Sequence, residues 1–142
     1  MTDTATAAQF TMTPEEREAS IVRCLTDMAP NFYPWPGDAA RYVIEACFPG
    51  ATPAEWDFAA QTLAANPQMR EGAKRPIGNV LASYREQATA KWQQAGKAAT
   101  ADPPQYGEAL ALLREAFLLN PAEAEFYARY ARIVEDKRAG TY

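Results

Sequence analysis

The sequence contains no histidine, which removes every His-dependent general base, catalytic triad and metal site. Cysteine is nearly as scarce. Cys24 and Cys47 are isolated and lack metal-ligand spacing, so each reads as a small buried hydrophobe. A disulfide between them stays open, because spacing alone does not decide it. No apolar run approaches the ~20 residues of a membrane span. Met1–Met12, rich in Thr and Ala, lacks the charged start and apolar stretch of a signal peptide. A soluble protein of the reducing cytoplasm is expected.

Other absences bear on catalysis. There is no glycine-rich phosphate loop, and no helix carries two metal ligands in register. The carboxylate pairs Glu15/Glu16 and Glu123/Glu125 sit at helix starts, where the helix dipole accounts for them. The reading is a chain with no catalytic residue, no metal and no cofactor. No segment alternates with a period of two for long enough to make a strand.

What remains is a chain of 142 residues, 48% hydrophobic and 23% charged. That suits one compact soluble domain with a real core. The formal charge of −4 argues against a dedicated nucleic-acid binder without excluding a local basic patch.

Residues 1–12 read as a flexible tail. Thr13-Pro14-Glu15-Glu16 then forms a helix start with a capping box. Ile21, Cys24, Leu25 and Met28 follow as an inward stripe, and Ala29-Pro30 ends the helix. The next loop interleaves Phe32, Tyr33 and Trp35 with prolines. Two readings stay open for it. The rings either cover the end of the core or form an exposed protein contact.

Asp38 is a cap for a second helix to about Phe48, with Tyr42, Val43, Ala46 and Cys47 inward. Thr52-Pro53-Ala54-Glu55 repeats the capping box. That third helix should bury Trp56, Ala59, Ala60 and Leu63 before Asn66-Pro67 closes it. After a polar connector, Pro76 opens the longest helix, with Ile77, Leu81, Tyr84, Ala88, Trp92 and Ala95 in one stripe. Two further helices are expected at about Tyr106–Leu119 and Ala122–Lys137, with a frayed end over 139–142. The fold class is all-α, about six helices in one domain over 13–138, its halves meeting near residues 75 and 76.

The stretch from Trp92 to Val134 resembles the tetratricopeptide repeat. Trp92, Ala95, Gly96 and Ala99 stand at that family's first-helix positions, and Ala109, Leu113, Ala116 and Pro121 at its second. One extra residue lies in the turn. Tyr127, Tyr130, Ala131 and Val134 continue the pattern into a following helix. The resemblance covers about one and a half repeats of ~34 residues. It implies a helical hairpin in which Gly96, Ala109 and Ala116 permit close helix approach. It also implies protein or peptide binding, with Gln93, Lys97, Ala128, Arg132 and Glu135 facing a groove and Arg129 beside them.

The expected function is therefore a non-catalytic protein-binding scaffold: an adaptor, small subunit or inhibitor acting through a helical surface. The alternative is a nucleic-acid- or replication-associated accessory protein. Arg70, Lys74, Arg75, Arg85, Lys91 and Lys97 face only Glu71 and Glu86 in that segment. The phrase from Lys74 to Arg85 is similar to a proline-started helix of phage and plasmid replication accessory proteins.

Overall fold

The computed structural model describes residues 10–31 and 37–141; for 37–40 it describes the backbone. The protein is all-α, and no strand occurs among the described residues. Among the described residues six helices follow in order: α1 (Pro14–Met28), α2 (Gly37–Cys47), α3 (Pro53–Ala65), α4 (Ile77–Ala99), α5 (Tyr106–Leu119) and α6 (Ala124–Ala139). Short 3-10 turns, Ala29–Asn31, Pro67–Arg70 and Pro121–Glu123, follow α1, follow α3 and precede α6.

Local chemistry sets these boundaries. At α1, Thr13 Oγ1 accepts from the Glu16 amide at 3.1 Å while the Glu16 carboxylate accepts from the Thr13 amide at 3.0 Å. Thr52 and Glu55 make the same reciprocal pair at α3. Asn66 and Asn120, each before a proline, leave the helical region at φ −130°, ψ 66° and φ −141°, ψ 72°. Gly140 closes α6 in the left-handed conformation at φ 76°, and the Thr141 amide returns to the Asp136 carbonyl at 2.8 Å. Residues 139–141, expected to fray, thus include a formed helix cap.

Contacts group the described residues into two compact units. One covers residues 12–31 and 37–83; the other joins residues 84–141 to Phe10 and Thr11. The boundary between the two units falls inside α4, between Ser83 and Tyr84. A helix of 23 residues spans roughly 35 Å, longer than one small core requires.

In the first unit α1 packs on α2 and α3. Ile21, Cys24, Leu25 and Met28 are fully buried, as is Val43, and Ile44, Cys47 and Phe48 nearly so, so the stripe read from the sequence is the core. Tyr42 corrects the reading of α2. It is 70% exposed, because its neighbours Val43 and Ile44 take the inward face. The reading of α3 also changes. Only Ala59 is fully buried, Ala60 is exposed, and Trp56 and Leu63 are half-buried. These residues border an apolar depression of about 350 Å³ with Arg41, whose guanidinium lies 5.3 Å from the Trp56 ring centre.

Two long-range polar clamps fix this unit. Arg17 grips Glu55 through Nε at 2.7 Å and Nη2 at 2.8 Å, and Nη2 also donates to the Gly50 carbonyl at 3.2 Å. The buried Asn31 amide donates to the Arg75 carbonyl at 2.7 Å, and its oxygen accepts from the Arg75 amide at 3.1 Å. The stripe at the start of α4 rotates by one residue: Val80 is buried, while Ile77 and Leu81 are half-buried.

The second unit is built on the α5–α6 pair. Ala109, Leu113, Ala116 and Ala131 are fully buried, with Tyr127, Val134 and Phe117 close to it. Tyr84, Ala88, Ala95 and Ala98 contribute the buried face of α4. Residues 1–9 of the expected tail lie outside the described residues. Phe10, counted with that tail in the sequence, is buried and meets the Phe117 ring edge-on at 5.5 Å.

Candidate functional site

The most distinctive surface in the second unit is aromatic. Phe126 and Tyr130 stand four residues apart on α6 and therefore share a face. Trp92 on α4 meets both, with ring centres 5.6 Å from Phe126 and 5.5 Å from Tyr130. Phe126 and Tyr130 lie 6.0 Å apart, and Tyr127 meets Phe126 edge-on at 5.5 Å. The edge-on contacts match the charge distribution of the rings, and the other two pairs are tilted. The cluster is not sealed, since Phe126 is 41% exposed.

Tyr127 plays a different part. One position round the helix from Phe126, it is 4% exposed, and its hydroxyl accepts from the Asn120 amide at 3.4 Å. Burial raises its phenol above the ordinary tyrosine range, partly offset by the Asn120 hydrogen bond. It is a neutral anchor of the α6 start.

Two depressions flank the ring cluster. The larger, about 540 Å³, is lined by Trp92, Gln93, Gly96, Lys97, Thr100 and Tyr130. The smaller, about 160 Å³, is bordered by Arg85, Thr89, Asn120, Glu123, Phe126 and Tyr127. Gly96 requires a correction. A Cβ there would meet nothing within 4 Å, so this glycine is not a point of close helix approach. It leaves the larger depression open. Ala109 and Ala116, with no exposed surface, do occupy tightly packed positions. The Trp92 indole N–H is buried without a hydrogen-bond partner among the described residues.

The residues expected at a site separate into groups. Gln93 and Lys97 are exposed and both line the larger depression. Arg129 and Arg132 are exposed on α6 and are not among its lining residues. Phe32, Tyr33 and Trp35 lie outside the described residues. The basic segment is divided, with Arg70, Lys74 and Arg75 in the first unit and Arg85, Lys91 and Lys97 in the second. Arg75 reaches Asp27 at 3.5 Å, and Lys91 reaches Glu115 at 3.6 Å. Local carboxylates therefore offset part of its charge.

Phe126, Gly96 as an opening and Thr100 were not singled out from the sequence as site residues. One signal was present. Phe126 and Tyr127 are adjacent large rings on one helix, and 100° of rotation prevents both from pointing inward.

Chemically, the surface offers ring area, amide and hydroxyl groups and a single ammonium. Among the described residues no group of three or more acidic or cysteine side chains is placed to hold a metal ion. Among them, too, no helix is long and apolar enough to cross a membrane. Fold and surface together define an all-α protein with a partly exposed aromatic cluster. Comparison with family models, curated proteins and solved structures gave no match.

Proposed function

We propose that this chain is a non-catalytic protein-binding scaffold, an adaptor or small subunit, whose partner docks on the aromatic surface of α4 and α6. The observation that carries the reading is Phe126, 41% exposed beside Trp92 and Tyr130, the two rings that line the larger depression. Aromatic rings that keep part of their surface in water are the side chains that contribute most when a partner covers them. Gln93, Lys97 and Thr100 at the rim supply the polar ring that fixes orientation. The tetratricopeptide resemblance supports the same role for Gln93 and Lys97 and extends it to Arg129 and Arg132.

The test is a comparison of baits. Wild type, Phe126→Asp and Gly96→Phe are immobilised after circular dichroism confirms equal helicity. A partner held by wild type and released by both variants supports the surface. Equal capture by all three sinks it.

A further inference from the structure

We propose that the depression between α2 and α3 binds a free amino acid with a bulky apolar side chain, Arg41 taking its carboxylate and Asp57 its ammonium. The site lies in the first unit and is independent of the aromatic surface of α4 and α6. Both helices pack on α1, and the depression of about 350 Å³ is lined from each of them. The walls are also clamped. Arg17 of α1 holds Glu55 of α3 at 2.7 and 2.8 Å, and the Gly50 carbonyl on the connection from α2 at 3.2 Å. Walls fixed in this way need little ordering when a ligand enters.

The lining has the composition of a small-molecule site, mostly apolar with a few polar groups. Ile44, Pro53, Ala59, Ala60 and Leu63 supply hydrocarbon, and Trp56 adds its ring. Volume sets the size of the occupant. A cavity of ~150 Å³ holds one benzene ring, so about 350 Å³ suits roughly a dozen non-hydrogen atoms. Phenylalanine has that size.

The charges set the head group. Arg41 on α2 and Asp57 on α3 are the two charged residues of the lining, and both are exposed. They carry opposite signs, yet neither makes an ion pair or a side-chain hydrogen bond among the described residues. The Arg41 guanidinium instead rests 5.3 Å from the Trp56 ring centre. A guanidinium stacked on a ring still has edge N–H groups to offer a carboxylate. An acid without an amine would satisfy Arg41 and be repelled by Asp57, and an amine without an acid would meet the reverse. A zwitterion matches both. The Trp56 indole N–H, buried without a hydrogen-bond partner among the described residues, gives the site its own reporter.

The full chain is titrated by calorimetry with phenylalanine, leucine and methionine. The Trp56 indole N–H resonance, assigned through Trp56→Phe, is followed in isotope-labelled protein. Saturable binding of phenylalanine with a Kd of about 1 mM or below is expected, together with a shift of that resonance. Hydrocinnamate, which lacks the ammonium, and phenethylamine, which lacks the carboxylate, should each bind at least ~10-fold more weakly. Glycine, which has the charges without the side chain, should leave the resonance in place. Arg41→Gln and Asp57→Asn should each weaken phenylalanine ~10-fold, and Asp57→Asn should no longer discriminate against hydrocinnamate. No saturation by any of the three amino acids up to ~20 mM would overturn the proposal. So would equal binding of the three phenyl compounds, a glycine shift equal to that of phenylalanine, or unchanged affinity in both variants. If a variant fails to fold, the ligand series on the wild-type chain decides.

Discussion

Arg17 and Glu55 are joined by two short hydrogen bonds although 38 positions separate them in sequence. Glu55 serves α3 at the same time, because its Oε1 accepts from the Thr52 amide at 2.9 Å. One carboxylate therefore sets where α3 starts and how it meets α1. The Arg17 guanidinium also lies 4.8 Å from the Phe48 ring centre. A double-mutant cycle with Arg17→Met and Glu55→Gln should give a coupling of about 1–2 kcal/mol in urea unfolding. The figure is held down because the Arg17 side chain keeps 32% of its surface in water. A coupling near zero would mean that solvent replaces the pair.

The same pair carries a pH signature. The Arg17 hydrogen bonds hold the Glu55 carboxyl down at about 2, against the ordinary ~4.3 of an unfolded chain. A depressed folded pKa means that the unfolded state takes up the proton first as pH falls. The contribution is therefore complete above about pH 5 and fades as pH drops toward 2. The stability difference between wild type and Glu55→Gln, followed by circular dichroism, should shrink across that window. A constant difference would place the carboxylate elsewhere.

Asn31 is small, polar and buried, and its side chain satisfies both backbone groups of Arg75. Asn31→Ala leaves a donor and an acceptor with one fewer partner each. The expected loss is about 2 kcal/mol in chemical unfolding. Less than about 0.5 kcal/mol would show that water reaches the Arg75 backbone freely.

Gly96 separates stability from binding. Since a Cβ meets open space, Gly96→Ala should stabilise α4 by about 0.5–1 kcal/mol. Gly96→Phe should remain folded yet fill the depression and weaken the partner at least ~10-fold. Phe126→Ala should cost about 1 kcal/mol of stability but reduce partner affinity ~30-fold, as expected of an aromatic hot spot. Parallel losses of stability and affinity would mark Phe126 as packing alone.

The divided basic segment leads to a negative expectation. Labelled single- and double-stranded DNA titrated at low salt should show no saturable binding. Affinity that rises steeply as salt falls would restore the nucleic-acid reading.

Much of the helix pattern was legible because it depends on neighbours in sequence. The capping boxes at Thr13 and Thr52 and the Asn-Pro breaks at Asn66 and Asn120 act within a few residues. Face assignments were harder where adjacent residues competed, as Tyr42 did with Val43 and Leu81 with Val80. The clamps could not be read at all. Nothing local in Arg17 or Asn31 indicates a partner 38 or 44 positions away. At the candidate surface, Trp92 and Tyr130 were recognised as packing residues, but their incomplete burial depends on how α4 and α6 meet.

Trp56 and Trp92 belong to different compact units, the former beside Arg41 and the latter against Tyr130. This division supplies an optical label for each unit without added dye. With Trp35 and either of the other two replaced by phenylalanine, the remaining indole emits from a single unit. Its emission during denaturation then follows that unit alone. Matching midpoints in the two single-tryptophan chains would report one cooperative event, and separate midpoints would give each unit its own stability.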